Sequence, residues 1–114
     1  MKAVLLNYSV EAIVVAYSEE LIQAVWEKGE VVRGVDKDKW RKDQCGAWIY
    51  RSSYGKSGTP LSMGWEVDHI TPKANNGTDA LSNLRPLQWE NNRAKSDGRL
   101  QCTVTADGNK NKYK

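Results

Sequence analysis

The alternation of apolar and polar positions predicts a strand and then a helix in the first third of the chain. Residues 3 to 17 mix Val, Ile, Leu and Tyr with polar residues, and the part from 12 to 17 favours a strand. Ser18 suits a helix N-cap, and the two acidic residues after it suit the positive end of a helix dipole. Since the apolar residues that follow share one face, we predict a helix over residues 19 to 28 that covers the core.

The centre of the chain predicts two further strands. Residues 47 to 51 form the first, and residues 52 to 60, with two glycines, form a loop after it. Alternation from 65 to 70 predicts the second strand, in which successive side chains point to opposite faces. Its two faces are Trp65, Val67 and His69 on one side and Glu66, Asp68 and Ile70 on the other.

The last third predicts a turn, a strand, a helix and a polar tail. The turn is expected around Asn75 and Asn76. Residues 83 to 87 are expected to form a short, edge-like strand, since Pro86 disfavours a helix before it. A helix from 88 to about 96 and a final strand within 100 to 105 follow, and the Lys-rich tail at 107 to 114 is expected to fray.

Composition adds a constraint on the core. At 114 residues the chain is expected to be one domain, 1 to 114. Phe is absent whereas Trp and Tyr number five each, so amphipathic rings must build much of the core. Partial burial is expected for all the tryptophans: Trp26, Trp40, Trp48, Trp65 and Trp89.

Charge, cysteines and the N-terminus limit the class of protein. Residues 1 to 34 carry a net −2 and residues 35 to 114 a net +5, a mild asymmetry that suits a polyanionic partner. Cys45 and Cys102 have no CxxC spacing, which favours two reduced thiols over a disulfide framework or a zinc site. With no signal peptide or membrane span to be read, a soluble, cytoplasmic protein is expected, although delivery as an effector domain stays open.

Asp68 and His69 are the first candidates for chemistry. His69 is the only histidine, and imidazole, with an ordinary pKa of ~6.5, accepts a proton near neutrality. Asp68 points to the opposite face of the strand, so it can ligate a metal while the His69 imidazole stays free to act as a base. A lone histidine is more often a hydrogen-bonded strand residue, so the pair needs partners to count as a site.

The spacing from residue 65 to 97 resembles the HNH endonuclease family, also called His-Me finger or ββα-metal nucleases. Asn83 lies fourteen positions after His69, and Asn92 lies nine positions after Asn83. The matching stretches are WEVDHITP at 65 to 72, NNGTD at 75 to 79, LSNLRPL at 81 to 87 and NNRAK at 91 to 95. The resemblance implies a small α+β domain built around a ββα-metal motif.

The resemblance also implies roles for four residues. His69 would be the general base that activates water, and Asn83 would tie the loop and help to orient it. Asp68 and Asn92 would hold a single Mg²⁺ or Mn²⁺ ion, because both offer hard oxygen ligands. The implied activity is hydrolysis of phosphodiester bonds, with DNA favoured over RNA.

Two departures from the family pattern change the expectation about metals. Asn92 stands where histidine is common, which makes this the His-Asn-Asn variant. Cys45 keeps one position of the family's zinc knuckle, but Trp48, Gln88 and Asn91 occupy the other three. We therefore expect no structural zinc and expect the Trp-rich core and the N-terminal helix to stabilise the fold instead.

Four charged residues have weaker assignments. Lys95, Arg93 and Arg85 are candidates for phosphate contact, although a solvated helix face or a cation-π contact on Trp89 explains them as well. Glu66 is a candidate to contact the metal ligands without binding the metal itself, or it simply faces water.

Other functions stay open beside the nuclease. A non-catalytic module could bind DNA through the same scaffold, and a structural domain could use the Asp and Asn residues as caps. Within the nuclease class, a phage or mobile-element enzyme competes with a bacterial toxin domain, which would need an immunity protein. A homodimer would convert a nicking site into one that cuts both strands.

Overall fold

Short antiparallel strand pairs and two helices make up the described part of the fold. The computed structural model describes residues 2–5, 13–95 and 98–114, with the backbone alone for 2–5 and 13–16. The elements are β1 (Lys2–Leu5), β2 (Ile13–Ala16), α1 (Glu19–Trp26), β3 (Trp40–Lys42), β4 (Trp48–Tyr50), β5 (Trp65–His69), β6 (Leu84–Gln88), α2 (Trp89–Arg93), β7 (Val104–Asp107) and β8 (Lys110–Tyr113). Three 3₁₀ turns lie at Arg51–Ser53, Lys73–Asn75 and Leu81–Asn83. The expected α+β class is confirmed.

Each described strand pairs with its neighbour along the chain. The pairs are β1 with β2, β3 with β4, β5 with β6 and β7 with β8, all antiparallel. In the central pair, Trp65 lies opposite Gln88 and His69 lies opposite Leu84. Among the described residues no third strand pairs with β6, so Pro86 lies in an edge strand, where a proline is tolerated.

Helix α1 begins where its N-cap predicts. The Ser18 hydroxyl accepts a hydrogen bond from the Leu21 backbone N–H at 3.1 Å, which satisfies one of the free donors of the first turn. Its buried face is formed by Ile22, Val25 and Trp26. The predicted helix is confirmed, and it ends two residues earlier than expected, at Trp26.

Tryptophan rings fill the core more completely than predicted. Trp26 and Trp65 have no exposed surface, and their ring centroids lie 5.4 Å apart. Each indole N–H finds a backbone oxygen, Lys37 O at 3.1 Å for Trp26 and Arg51 O at 3.3 Å for Trp65. Because these polar atoms are paired, the rings are buried without the cost of an unsatisfied donor. Trp48 is also buried, whereas Trp40 and Trp89 are partly buried as expected.

The expectation of a fraying C-terminal tail is wrong. The final strand predicted within 100 to 105 lies instead at Val104–Asp107, and Lys110–Tyr113 forms a second strand paired with it. Asn111 anchors this hairpin, since its side chain accepts from the Trp48 N–H at 2.7 Å and donates to the Trp48 carbonyl at 3.1 Å. Alternation along β8 turns Asn111 inward and leaves its lysines exposed, which the lysine content alone does not reveal.

The preference for two reduced thiols is also wrong. Cys45 and Cys102 form a disulfide, with an S–S distance of 2.04 Å and Cα atoms 5.3 Å apart. The hydrogen bond from Ala106 N–H to the Gly46 carbonyl, at 3.0 Å, holds the C-terminal hairpin against the turn that carries Cys45. Tertiary packing therefore brings together two cysteines that are 57 positions apart in the chain.

The strands at 40–50 and helix α2 also differ from the prediction. The strand expected at 47 to 51 spans Trp48–Tyr50, and its partner Trp40–Lys42 was hidden in a highly charged segment. Helix α2 begins at Trp89, because the Gln88 side chain caps it by accepting from Glu90 N at 2.9 Å. It ends at Arg93, and its predicted end near residue 96 lies outside the described residues.

Candidate active site

Strand β5 and helix α2 together position the candidate site. Two residues of one strand face, Glu66 and Asp68, contact residues on and just after α2. His69 is the last residue of β5 and points to the other face, toward the loop between β5 and β6. The alternation in β5 therefore separates the carboxylates from the imidazole, as the sequence pattern predicts.

Asp68 is a buried carboxylate held between two cations. Only 4% of its side chain is exposed. Arg85, its partner across the β5–β6 pair, donates from Nε to Oδ2 at 2.7 Å, and Lys95 Nζ bonds to Oδ1. Lys95 also donates to the His69 carbonyl at 2.9 Å. The two cations compensate the burial of the Asp68 charge, which would otherwise be unfavourable.

Glu66 fixes the orientation of Asn92. The Asn92 amide Nδ2 donates to Glu66 Oε1 at 2.9 Å, which turns the amide oxygen of Asn92 away from that carboxylate. Arg93 holds the same carboxylate with two bonds, from Nε at 3.2 Å and from an Nη at 2.9 Å. The Arg93 guanidinium also lies 5.9 Å from the Trp89 ring centroid, the cation-π contact that the sequence left open.

His69 faces a carboxylate that the sequence alone did not single out. Its Nε2 lies 2.8 Å from Asp79 Oδ1, and Lys73 Nζ donates to Asp79 Oδ2 at 2.9 Å. The hydrogen bonds from Lys73 and then from His69 hold the pKa of Asp79 below its ordinary value. Asp79 is therefore an ionised acceptor for the histidine ring.

Asn83 ties together the loop that carries Asp79. Its side-chain oxygen accepts from Thr71 N at 2.8 Å, and its amide donates to Thr71 O at 3.1 Å and to Thr78 O at 2.8 Å. Gly77 allows the loop to fold this closely, because a Cβ there would lie 1.7 Å from the Thr71 carbonyl oxygen. Asn76 adopts the left-handed backbone conformation, with φ of 68°, as a turn residue does.

All eight residues that the sequence proposed lie around the end of β5, although their partners differ from the simplest expectation. The three proposed phosphate-binding cations contact carboxylates, Arg85 and Lys95 at Asp68 and Arg93 at Glu66. Asp79 is the residue that sequence reasoning missed. Its only signal was its place in the NNGTD stretch, ten positions after His69, which does not predict contact with the ring.

The donor chemistry around Asp68 fits a hard divalent cation. Among the residues that the structure describes, no group of three or more His, Cys, Asp or Glu could hold a metal. Asp68 and Asn92 instead offer a carboxylate and an amide oxygen, which Mg²⁺ accepts when water completes its shell. A carboxylate has about four lone-pair positions. Arg85 and Lys95 engage one oxygen each, so the Asp68 carboxylate keeps lone pairs that could bind a metal ion.

A buried hydrogen-bonded cluster joins Cys45, Gln88 and Asn91. Asp43 is its centre: Oδ1 accepts from the Cys45 and Ala47 N–H groups at 2.9 Å, and Oδ2 accepts from Gln88 N at 2.9 Å and from Asn91 Nδ2 at 3.1 Å. Burial raises the pKa of Asp43, and these hydrogen bonds oppose that rise. Together with the disulfide, this cluster joins Cys45 to α2 and β7.

Comparisons with known proteins agree with this geometry. The family model described as HNH endonuclease matches residues 55–98. No curated protein and no solved structure matches the chain significantly. Over the described residues, neither helix has the length and apolar character needed to cross a membrane. The matched segment contains β5, β6 and α2, which fit the ββα-metal fold, and every residue of the site. The segment from residue 55 to residue 98 is therefore similar to HNH endonucleases, and this similarity indicates nuclease activity in general.

Proposed function

We propose that this protein is a metal-dependent DNA endonuclease in which His69 is the general base. The observation that carries the proposal is the position of His69 at the end of β5, inside the segment that matches HNH endonucleases. On the opposite face of the same strand lies Asp68, and α2 brings Asn92 to this side through Glu66. A base and a pair of oxygen ligands are two of the requirements for phosphodiester hydrolysis.

His69 performs the proton transfer in this proposal. It takes a proton from a water molecule, and the oxygen of that water forms a bond to phosphorus while the bond from phosphorus to the 3′ oxygen breaks. The departing oxygen takes a proton from solvent. The products carry a 5′ phosphate and a 3′ hydroxyl, and Asn83 supports His69 by closing the loop that faces it.

Asp68 and Asn92 would hold one Mg²⁺ or Mn²⁺ ion in this proposal. The bound ion would supply positive charge beside the scissile phosphate. Glu66 contributes by fixing the Asn92 amide, and Arg93 contributes by holding Glu66.

Arg85, Lys95 and Arg93 form the cationic border of the proposed site. Each already neutralises a carboxylate, so a phosphate must compete for them with Asp68 or Glu66. Arg93 is the most accessible of the three, with 57% of its side chain exposed against 13% for Arg85 and 12% for Lys95. We therefore propose that Arg93 meets the nucleic acid backbone first, in a contact weakened by salt.

Cleavage of supercoiled plasmid DNA tests the proposed function. We expect nicked DNA in Mg²⁺ or Mn²⁺ and no product in the presence of a chelator, because the phosphate charge would then lack its neutralising cation. On a gel, open-circular DNA reports cleavage of one strand and linear DNA reports cleavage of both strands. Salt-sensitive DNA binding without cleavage in any divalent metal would reject the enzyme and favour the non-catalytic binding module.

Lys95→Met is expected to tighten metal binding. The substitution removes a positive charge that contacts Asp68, and repulsion between unit charges about 4 Å apart is worth about 1 kcal/mol even in water. We therefore expect the Kd for Mn²⁺, measured by titration calorimetry, to fall about fivefold or more. Lys110→Met, an exposed lysine on β8, is the matched control and should leave the Kd unchanged. A weaker affinity in Lys95→Met would contradict Asp68 as the ligand.

The disulfide favours one alternative within the nuclease class, a delivered toxin domain. Disulfides persist in oxidising environments and are rare in the cytoplasm. A toxin would pass through such an environment and would require an immunity protein in the producing cell. The same bridge argues against the expected cytoplasmic location.

We also propose that residues 1 to 114 form a single domain. A homodimer of this domain would cut both strands.

A further inference from the structure

The contact between His69 and Asp79 determines which ring nitrogen carries the proton. The Nε2 to Oδ1 distance of 2.8 Å is that of a hydrogen bond, and 18% of the His69 side chain and 25% of the Asp79 side chain are exposed. An ionised carboxylate only accepts hydrogen bonds. Nε2 must therefore carry the hydrogen, and in the neutral ring Nδ1 is left without one and can accept a proton.

Asp79 is held in place from both sides. Lys73 Nζ bonds to the carboxylate oxygen that does not face His69, at 2.9 Å. The preceding residue, Thr78, gives its carbonyl to the Asn83 amide at 2.8 Å, which joins the Asp79 backbone to the start of β6. The carboxylate therefore reaches His69 from a loop with fixed ends.

We propose that Asp79 is a positioning residue that keeps His69 in the Nε2–H tautomer and so presents Nδ1 as the base. This inference rests on the proposed function of His69. When Nδ1 takes a proton from water, the imidazole becomes a cation, and the Asp79 carboxylate on the opposite nitrogen stabilises that charge. Asp79 does not touch the reacting atoms and acts only through His69.

The imidazole nitrogen spectrum tests the tautomer directly, because the chain contains one histidine. In the neutral ring of the wild type we expect a protonated Nε2 and a bare Nδ1. Asp79→Ala should average the two nitrogen signals and speed the exchange of the ring proton with water. A wild-type spectrum with the proton on Nδ1, or one that Asp79→Ala leaves unchanged, would overturn the proposal.

Two control variants separate positioning from loop structure. Lys73→Met removes the other partner of Asp79 and should leave the tautomer unchanged. Asp38→Asn, at an exposed position, controls for the loss of an acidic charge. Amide spectra of all variants report whether each is folded. A loss of activity in Lys73→Met as large as that in Asp79→Ala, with the tautomer intact, would assign Asp79 a structural role and reject the proposal.

Cleavage kinetics complete the test. We expect Asp79→Ala to lower kcat about 10- to 100-fold, the loss seen when the carboxylate that orients a metal-binding histidine is removed, with KM changed less than about twofold. Equal kcat values in the wild type and Asp79→Ala, together with a loss in His69→Ala, would overturn the positioning role. Failure of the proposed function is distinct, since it shows as unchanged cleavage in His69→Ala whatever the nitrogen spectrum gives.

Discussion

His69→Ala is expected to reduce the rate of plasmid cleavage by about 100- to 10,000-fold, the usual contribution of a general base. The loss should be large because the chain has no second histidine to accept the proton from water. Asp79 cannot replace it, since the pKa of that carboxyl is lowered and a weaker base gains less from the transfer. Single-turnover rates, measured in excess Mg²⁺ and with protein in excess of DNA, report the chemical step.

Two controls accompany His69→Ala: its affinity for Mn²⁺ and the cleavage rate of a variant at an exposed position. The proposed metal ligands, Asp68 and Asn92, are unchanged, so Mn²⁺ should bind the variant with a Kd near that of the wild type. Asp38→Asn, purified in the same way, should keep the wild-type rate. Full activity of His69→Ala with normal metal binding would show that another group takes the proton, and the role proposed for His69 would be wrong.

Cys102→Ser is expected to lower the free energy of unfolding by about 4 kcal/mol. The bridge joins residues 57 positions apart, and in the chain-entropy model a loop of that length stabilises the fold by roughly this amount. The effect is a large fraction of the 5 to 15 kcal/mol typical of domains. Urea unfolding of the wild type and the variant, followed by tryptophan fluorescence, measures the difference.

Reduction provides an independent check of the disulfide. Dithiothreitol should destabilise the wild type by about the same amount as Cys102→Ser and should leave the stability of the variant unchanged. Cys45→Ser should match Cys102→Ser, because either change opens the same loop. Two free thiols in unreduced, folded wild type would show that the bridge does not form.

Because of the Asp43 cluster, we expect the protein to keep its site after the disulfide is reduced. Four hydrogen bonds to Asp43 join the turn at Cys45 to Gln88 and Asn91 without any sulfur. Asn91 extends the cluster to β7 by accepting from the Thr103 and Val104 N–H groups at 2.9 Å. The disulfide and the cluster therefore support the same junction by different means.

The sequence by itself predicts the parts of this protein that depend on local conformation. Alternation in residues 65 to 69 places Asp68 and His69 on opposite faces, since successive side chains of a strand diverge whatever packs against them. Ser18 marks the start of α1 because an N-cap acts within a single turn. The spacing of His69, Asn83 and Asn92 indicates the HNH family from the sequence alone.

Only the tertiary structure decides which distant groups meet. The pairing of Cys45 with Cys102, the contact of His69 with Asp79 and the inward turn of Asn111 each depend on how a loop closes, and no periodicity encodes that. The same holds for Asp68, which the sequence offered as a metal ligand and the structure places between Arg85 and Lys95. The physical reason is that strand and cap signals act over a few residues, whereas a buried charge takes its partners from whatever packing brings within reach.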